Sequence, residues 1–500
     1  MSKGSSKILG NSIYNLLGWL LPLIVNFLTV PLVVRMLGND SYGILMLFTA
    51  VIGYFSIIDI NLTAGSMKYI SEYYAKGDEK SLNEVLTLSL WGYVIIGIFG
   101  AAIMYLSVDW FLMDLLKVPQ DLKVAARVVF QLASVGFFLN LVQKYLSSIP
   151  QSIHRFDVSA KIEAGFGVAL MVLTVVMLYM GFELSGVVVL RVLILVFNCV
   201  AIFMAVKKIM PFACFNSRVS GDIVRKMKTF SGYSFLSSAA TSITANFDRL
   251  VIGSVISSAA VTFYSIPFML VARLMTVSQR LSMVLFPVAS EIGALGKRED
   301  IYRIYIKMNR HVFFLNIALT AVICLFSKQI LSIWMGDEFA QKTYVILILI
   351  SLGYFADTLT NLPSLVNDGF NFPQITGFFA LARAIVGVVA LLFGTIHYGL
   401  IGAATAYLLS SYTVGILFLL YVHKKTIKLS LWTVVRDAFM KSFLFTAVVA
   451  SGVVLSRLFY SASMISLLAE SFSVFIVFVL FAYRYVVEEN IKMRIIGYFR

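Results

Sequence analysis

Apolar runs of about 20 residues or more recur from one end of this chain to the other, broken only by short polar or charged segments. A helix rises about 1.5 Å per residue and the hydrocarbon core of a bilayer is about 30 Å thick, so each run is long enough to span. The residue balance agrees: 60% of 500 positions are hydrophobic and 13% are charged. Soluble domains sit near half apolar and a quarter charged, so this chain lacks the polar surface to face water. It reads as an all-α integral membrane protein.

Bounding the runs by charge or by Gly/Pro/Asn/Asp clusters predicts fourteen transmembrane helices. They lie near 10–34, 42–62, 85–107, 124–146, 158–180, 184–205, 231–255, 260–288, 311–333, 343–366, 373–396, 399–422, 437–459 and 463–487. The first run lacks a small-residue cleavage site and is expected to be a retained helix rather than a signal peptide. The net charge of +15 falls mostly in short loops, with no basic-aromatic surface suited to nucleic acid. Placing the N-terminus inside puts most Lys and Arg on the cytoplasmic side, and both termini with them.

The basic stretch 206–229 separates two sets of six helices and reads as a cytoplasmic linker. It divides a first lobe (1–205) from a second (230–422), followed by two added helices (437–487) and a basic cytoplasmic tail (488–500). Aligning Tyr42 with Tyr264 sets Asn15 on Ser237, Pro22 on Thr244 and Asn26 on Asp248. The junction Ser185-Gly186-Val187-Val188 echoes Ile401-Gly402-Ala403-Ala404. Both echoes are expected if each lobe repeats one unit.

Polar groups inside a bilayer are expensive, so their positions mark cavities or helix contacts. Asn11, Asn15, Gly18, Pro22, Asn26 and Thr29 share one face of the first helix, and Ser234, Ser238, Thr241 and Asp248 share one face of the seventh. These stripes either line a polar cleft or glue packed helices together. The five basic residues deep in spans are all arginines: Arg191, Arg249, Arg273, Arg280 and Arg383. A guanidinium grips phosphate oxygens bidentately and keeps its charge when buried, which suits an anionic head group. Arg249 beside Asp248 could equally be structural, and Arg191 and Arg280 could snorkel to an interface.

Asp59, Asp248 and Asp357 are candidates for binding a coupling proton or sodium ion, or for plain helix packing; Asn361 follows Asp357 by one turn on the same face. Pro22, Pro31, Pro267 and Pro363 are candidate bends. Cys199, Cys214 and Cys324 show neither disulfide nor zinc spacing, and His154, His311, His397 and His423 are too scattered for a metal site. Gly293-Ala294-Leu295-Gly296-Lys297 has the wrong spacing for a P-loop. No cofactor and no enzyme activity are expected.

The opening Asn11-Ser12-Ile13-Tyr14-Asn15 through Pro31-Leu32-Val33-Val34-Arg35-Met36-Leu37-Gly38-Asn39-Asp40-Ser41-Tyr42-Gly43-Ile44 resembles the polysaccharide transporter (oligosaccharide flippase) family of the multidrug/oligosaccharidyl-lipid/polysaccharide exporter superfamily. Asp59-Ile60-Asn61-Leu62 with Lys68 to Asp78, Phe247-Asp248-Arg249-Leu250-Val251-Ile252-Gly253, Phe286-Pro287-Val288, Ile333-Trp334-Met335-Gly336 and Tyr398-Gly399-Leu400-Ile401-Gly402-Ala403-Ala404 agree. Lys68 stands where relatives often carry Arg. The resemblance implies two lobes around a V-shaped cavity in a bacterial inner membrane. It implies as cargo an undecaprenyl-diphosphate-linked oligosaccharide, moved to the periplasmic leaflet, with polysaccharide polymerase machinery as a further partner. On this reading Arg383 and Arg273, with Arg249, hold the diphosphate, and the Asn/Ser/Thr stripes bind sugar hydroxyls. A cation-coupled multidrug exporter, a membrane-embedded glycan enzyme and a scaffold are the competing classes.

Overall fold

In the computed structural model, which describes residues 3–55, 59–227, 247–283, 298–370, 372–459 and 464–486, the chain is almost wholly helical, and no strand occurs among the described residues. Chain contacts divide it into two compact units, Met1–Thr262 and Phe263–Arg500. The first unit holds α1 (Lys3–Phe55), α2 (Asp59–Lys76), α3 (Glu79–Leu106), α4 (Lys123–Ser152), α5 (Phe156–Tyr179), α6 (Leu184–Ile209), α7 (Phe247–Val255) and the start of α8 (Ser258–Met283). The second holds the rest of α8, α9 (Arg298–Leu325), a short helix Ser327–Met335, α10 (Asp337–Gly369), α11 (Pro373–Val422), α12 (Met440–Phe459) and α13 (Met464–Phe481).

Among the described residues ten helical stretches are long and apolar enough to cross a membrane, and one of them, Pro373–Ile427, covers two of the predicted spans. The chain is a multi-pass membrane protein. The count of fourteen stays an expectation, because much of 231–255 and the ends of several other runs lie outside the described residues. Leu106, Val124, Val448 and Tyr179 are 81%, 78%, 71% and 70% exposed, and in a membrane such surface is covered by lipid tails.

Glycines make the joints. Helical geometry continues through Pro22, Pro31, Pro267 and Pro363, while the non-helical backbone inside α1 and α11 falls at Gly38 (φ 80°) and Gly399 (φ 61°). Positive φ costs glycine nothing and other residues strain. Just past Gly38, Asp40 Oδ1 accepts from Ser258 Oγ (2.6 Å) and Ala259 N (3.1 Å), satisfying one hydroxyl and one amide at the start of α8. Thr262 Oγ1 donates to Asn39 O (2.6 Å). A Cβ on Gly43 would lie 1.8 Å from Ser258 O. Gly38, Asp40 and Gly43 therefore have separate duties in one joint: a turn, a cap and a close approach.

Two sequence boundaries move. The polar stretch after residue 62 is helical to Lys76, and α9 is already helical at Arg298, the first described residue there, rather than from near 311. Apolar runs mark depth in lipid, whereas a helix continues into water wherever its backbone bonds are kept. Within the first unit, residues 212–220 of the basic linker are bonded to α3. Asn83 donates to Phe212 O (3.2 Å) and accepts from Cys214 N (2.8 Å), Thr87 Oγ1 accepts from Ser217 N (3.0 Å), and Glu84 accepts from Ser220 N (2.8 Å).

The first unit's interior is polar as well as aromatic. Tyr93 and Tyr145 are fully buried and stacked at 5.0 Å, Tyr145 donates to Leu86 O (2.7 Å), and Ser66 pairs with Ser89 (2.8 Å). In the second unit one cluster gathers Tyr305, Leu362, Val366, Phe418 and Val422, with Tyr305 hydrogen-bonded to His423 Nε2 at 3.0 Å.

Candidate functional site

Arg383 and Ser411 both lie on α11, 28 residues apart, about 42 Å along an unbroken helix. Arg383 Nη2 nevertheless donates to Ser411 Oγ at 2.9 Å. The fold-back comes from the Gly399 joint, beside which Gly394 and Gly402 abut: a Cβ on Gly402 would lie 1.9 Å from Gly394 O. On α10, Asp357, Thr360 and Ser364 follow at i, i+3 and i+7 and so share a face. The two limbs of α11 and this face of α10 assemble one polar cluster.

At its centre Asp357 Oδ2 accepts from Arg383 Nη2 (2.7 Å) and from the Tyr407 hydroxyl (2.7 Å). The guanidinium lies 5.8 Å from the centre of the Tyr407 ring. Phe268 and Tyr354 pack on that ring at 5.7 and 5.9 Å. A cavity of about 120 Å³ opens beside the pair, lined by Asp357, Thr360, Ser364, Thr376, Arg383 and Ser411, with Phe379 and Phe418 along its wall. One water needs about 10–15 Å³ on this measure. The space suits a group the size of a phosphate, a hydrated ion or one sugar ring, and an oligosaccharide would not fit.

The arginines read alike from sequence part company in three dimensions. Arg383 is ion-paired. Arg191, on α6, gives one hydrogen bond from Nη1 to Thr49 Oγ1 (3.3 Å), its Nε is buried without a partner, and no carboxylate pairs with it among the described residues. Tyr42, 4% exposed, lies within electrostatic reach of both Arg191 and Arg249. Arg249 N bonds to Asp248 Oδ1 (2.8 Å) at the start of α7. Arg273 is exposed on α8. Asn26 and Asn361 are half-buried, and Asn361 is not among the groups lining the cavity.

The side chains of Asn15, Asp59 and Arg280 lie outside the described residues, as do Ser238 and Thr241 altogether. Sequence reasoning missed Thr360, Ser364, Thr376, Tyr407 and Ser411. The spacing of Asp357, Thr360 and Ser364, and of Tyr407 and Ser411 at i and i+4, carried the signal.

A family profile described as "Polysaccharide biosynthesis protein" matches residues 8–293. This chain belongs to that family. Among relatives, a protein of Shigella flexneri provisionally named O-antigen transporter is 21% identical over 411 residues, covering 80% of this chain and 94% of its own. The "Uncharacterized membrane protein EpsK" of Bacillus subtilis (strain 168) is 23% identical over 407 residues, covering 78% of each chain. Among solved structures, lipid II flippase MurJ in an inward closed conformation matches with a TM-score of 0.75 at 14% identity, over 94% of this chain and 97% of its own. An inward-facing multidrug resistance MATE family transporter of the MOP superfamily matches at 0.69 and 16% identity, over 81% and 94%. At such identities the likeness fixes the fold, which is that of MurJ-like and MATE-like membrane transporters. Arg191 and the Gly38 to Gly43 joint fall inside the matched stretch, whereas the Arg383 cluster lies beyond it.

Proposed function

We propose that this protein is a flippase that carries undecaprenyl-diphosphate-linked oligosaccharide repeat units across a bacterial inner membrane, from the cytoplasmic to the periplasmic leaflet, by alternating access. Both termini are cytoplasmic on this reading. The lobe boundaries at 205, 230 and 422, the basic tail and the hand-over to polysaccharide polymerase machinery belong to the same proposal. An isolated charge entering a medium of low dielectric costs tens of kcal/mol, so a diphosphate needs cations and donors along its way. The observation that carries the reading is Arg191, an arginine on an apolar helix with unspent donors beside Tyr42 and Arg249. Arg191 grips the diphosphate with Arg249, Arg273 serves an exposed part of the path, and Arg383 organises a small polar cavity that takes one group of the passing cargo.

A second reading has its own observation. Asp357 sits among Phe268, Tyr354 and Tyr407, an acidic and aromatic setting that suits an organic cation. Arg383 already neutralises that carboxylate, which favours the first reading. The deciding experiment is complementation of bacterial strains that lack their own surface-polysaccharide flippase, with several repeat-unit chemistries in the panel. Wild type restores polymer in at least one strain, and Arg191→Ala at matched expression does not. Restoration in no strain, together with resistance to cationic dyes in the same cells, rejects the flippase in favour of the exporter. Proton or sodium coupling is read in the same cells by varying the external pH and sodium.

A further inference from the structure

Three of the four hydroxyls around the Arg383 cavity have already committed their protons. Thr360 Oγ1 donates to Asp357 O (2.8 Å), Ser364 Oγ to Thr360 O (2.8 Å) and Thr376 Oγ1 to Asp368 Oδ1 (2.6 Å). A hydroxyl has one proton and two lone pairs, so these three oxygens offer the cavity lone pairs alone. Ser411 Oγ is itself an acceptor, taking its bond from Arg383. The carboxylate adds to this, since both hydrogen bonds to Asp357 are made at Oδ2. The side-chain oxygens around this cavity thus form an acceptor-rich wall about one negative charge.

Hard oxygen acceptors around a carboxylate are the chemistry that holds a small cation, and the opposite of what a phosphate seeks. A cation is already present: the guanidinium of Arg383 bridges Asp357 and Ser411 and, at 35% exposure, fills the place between them. We propose that Arg383 is the built-in cation of this cavity, and that the wall formed by Asp357, Thr360, Ser364 and Ser411 is a monovalent-cation site whose ligand is carried on the chain. Cutting the guanidinium away leaves a charged, acceptor-rich space that takes up a small cation from solution, with methylguanidinium the best fit and sodium a weaker one. A wild-type protein, whose site is filled, is indifferent to both. This inference concerns the cavity named under the proposed function but assumes no transport, so it stands or falls separately from the flippase reading.

The test uses the purified full-length protein in detergent, with thermal unfolding followed at constant ionic strength in choline, sodium or methylguanidinium chloride at millimolar concentrations. A ligand that binds only the folded state raises the midpoint in a saturable way. For Arg383→Ala the expected rise is roughly 2–4 °C in methylguanidinium over choline, with a smaller rise in sodium. Wild type and Arg383→Ala/Asp357→Asn show none. Arg383→Gln, which keeps length and donors without charge, covers the case in which the alanine form cannot be purified, and its recovery is compared with and without methylguanidinium throughout purification. A cation response confined to the variants that keep Asp357 supports the site. An equal response in wild type, or recovery and midpoints of the Arg383 variants that are the same in choline and methylguanidinium, overturns it.

Discussion

Arg191 in the first unit and Arg383 in the second are both arginines set in long apolar helices, and their surroundings are opposite. Arg383 has a carboxylate at 2.7 Å, a serine at 2.9 Å and an aromatic face beneath it. Arg191 has one long bond to Thr49 and a buried Nε with nothing to bond among the described residues. A buried charge that is paired has its desolvation offset inside the protein, whereas one that is not paired waits for a partner from outside. On the proposed function, the difference separates an arginine that holds structure together from one available to a passing anion. Stability measurements should therefore respond at Arg383 and transport measurements at Arg191.

The largest effect on stability is expected from Arg383→Ala. Orphaning one member of a buried pair costs about 3–5 kcal/mol, and the side chains here are 35% and 18% exposed, so partial hydration lowers the expected loss to about 2–3 kcal/mol. Adding Asp357→Asn should restore most of it, because the uncompensated carboxylate is then gone. Thermal unfolding in choline salts reads both. A single mutant as stable as wild type would erase the contrast between the two arginines.

Next comes the joint that makes the cluster. Gly402→Ala places a methyl 1.9 Å from Gly394 O, and a backbone neighbour cannot swing aside as a side chain can. Overpacking of this kind costs about 1–3 kcal/mol. The limbs of α11 should part and draw Ser411 away from Arg383. Gly402→Ala should thus lose stability with Arg383 present and lose less in an Arg383→Ala background, a coupling that a double-mutant cycle measures. Smaller again is Tyr407→Phe, which removes one hydrogen bond to a charged acceptor and should cost about 1.5 kcal/mol; a cost near zero would show that Arg383 alone fixes Asp357.

The fold was legible because its signal is long. Runs such as 158–180 and 184–205 sit within a few residues of Phe156–Tyr179 and Leu184–Ile209, since lipid leaves a spanning helix no polar alternative. The break near 397–399 was readable from its glycine, and Gly399 supplies the positive φ. The site was legible only in part. Arg383 and Asp357 stood out as charges in apolar sequence, but their pairing depends on α11 doubling back, and no local pattern states which limb meets which. Asn361 was placed with Asp357 by the i+4 rule, and Thr360 and Ser364 at i+3 and i+7 turned out to line the cavity. Both choices share a helix face, and only the position of the neighbouring helix decides between them. The long helices through 63–76 and 298–310 were hidden for a related reason: their residues are charged, and hydropathy follows solvent rather than backbone.

The smallest expected change in stability, and the sharpest test of the comparison, is Arg191→Met. Methionine keeps most of the length and bulk of the side chain and removes the charge. The guanidinium makes one 3.3 Å bond, so little is lost with it, and the relief of a half-buried cation offsets that loss. Replacing a poorly compensated charge by an apolar side chain of similar volume is often neutral or stabilising, and the unfolding free energy should stay within about 1 kcal/mol of wild type. Transport should nonetheless fail, because a thioether offers a diphosphate nothing. Arg191→Lys separates charge from shape: it keeps the positive charge but presents a compact ammonium in place of the planar fork, so complementation should be partial if the head group is gripped bidentately and full if the field alone matters. Were Arg191→Met to unfold as readily as Arg383→Ala, the guanidinium would have to be holding the first unit together, and the division of labour between the two arginines would be wrong.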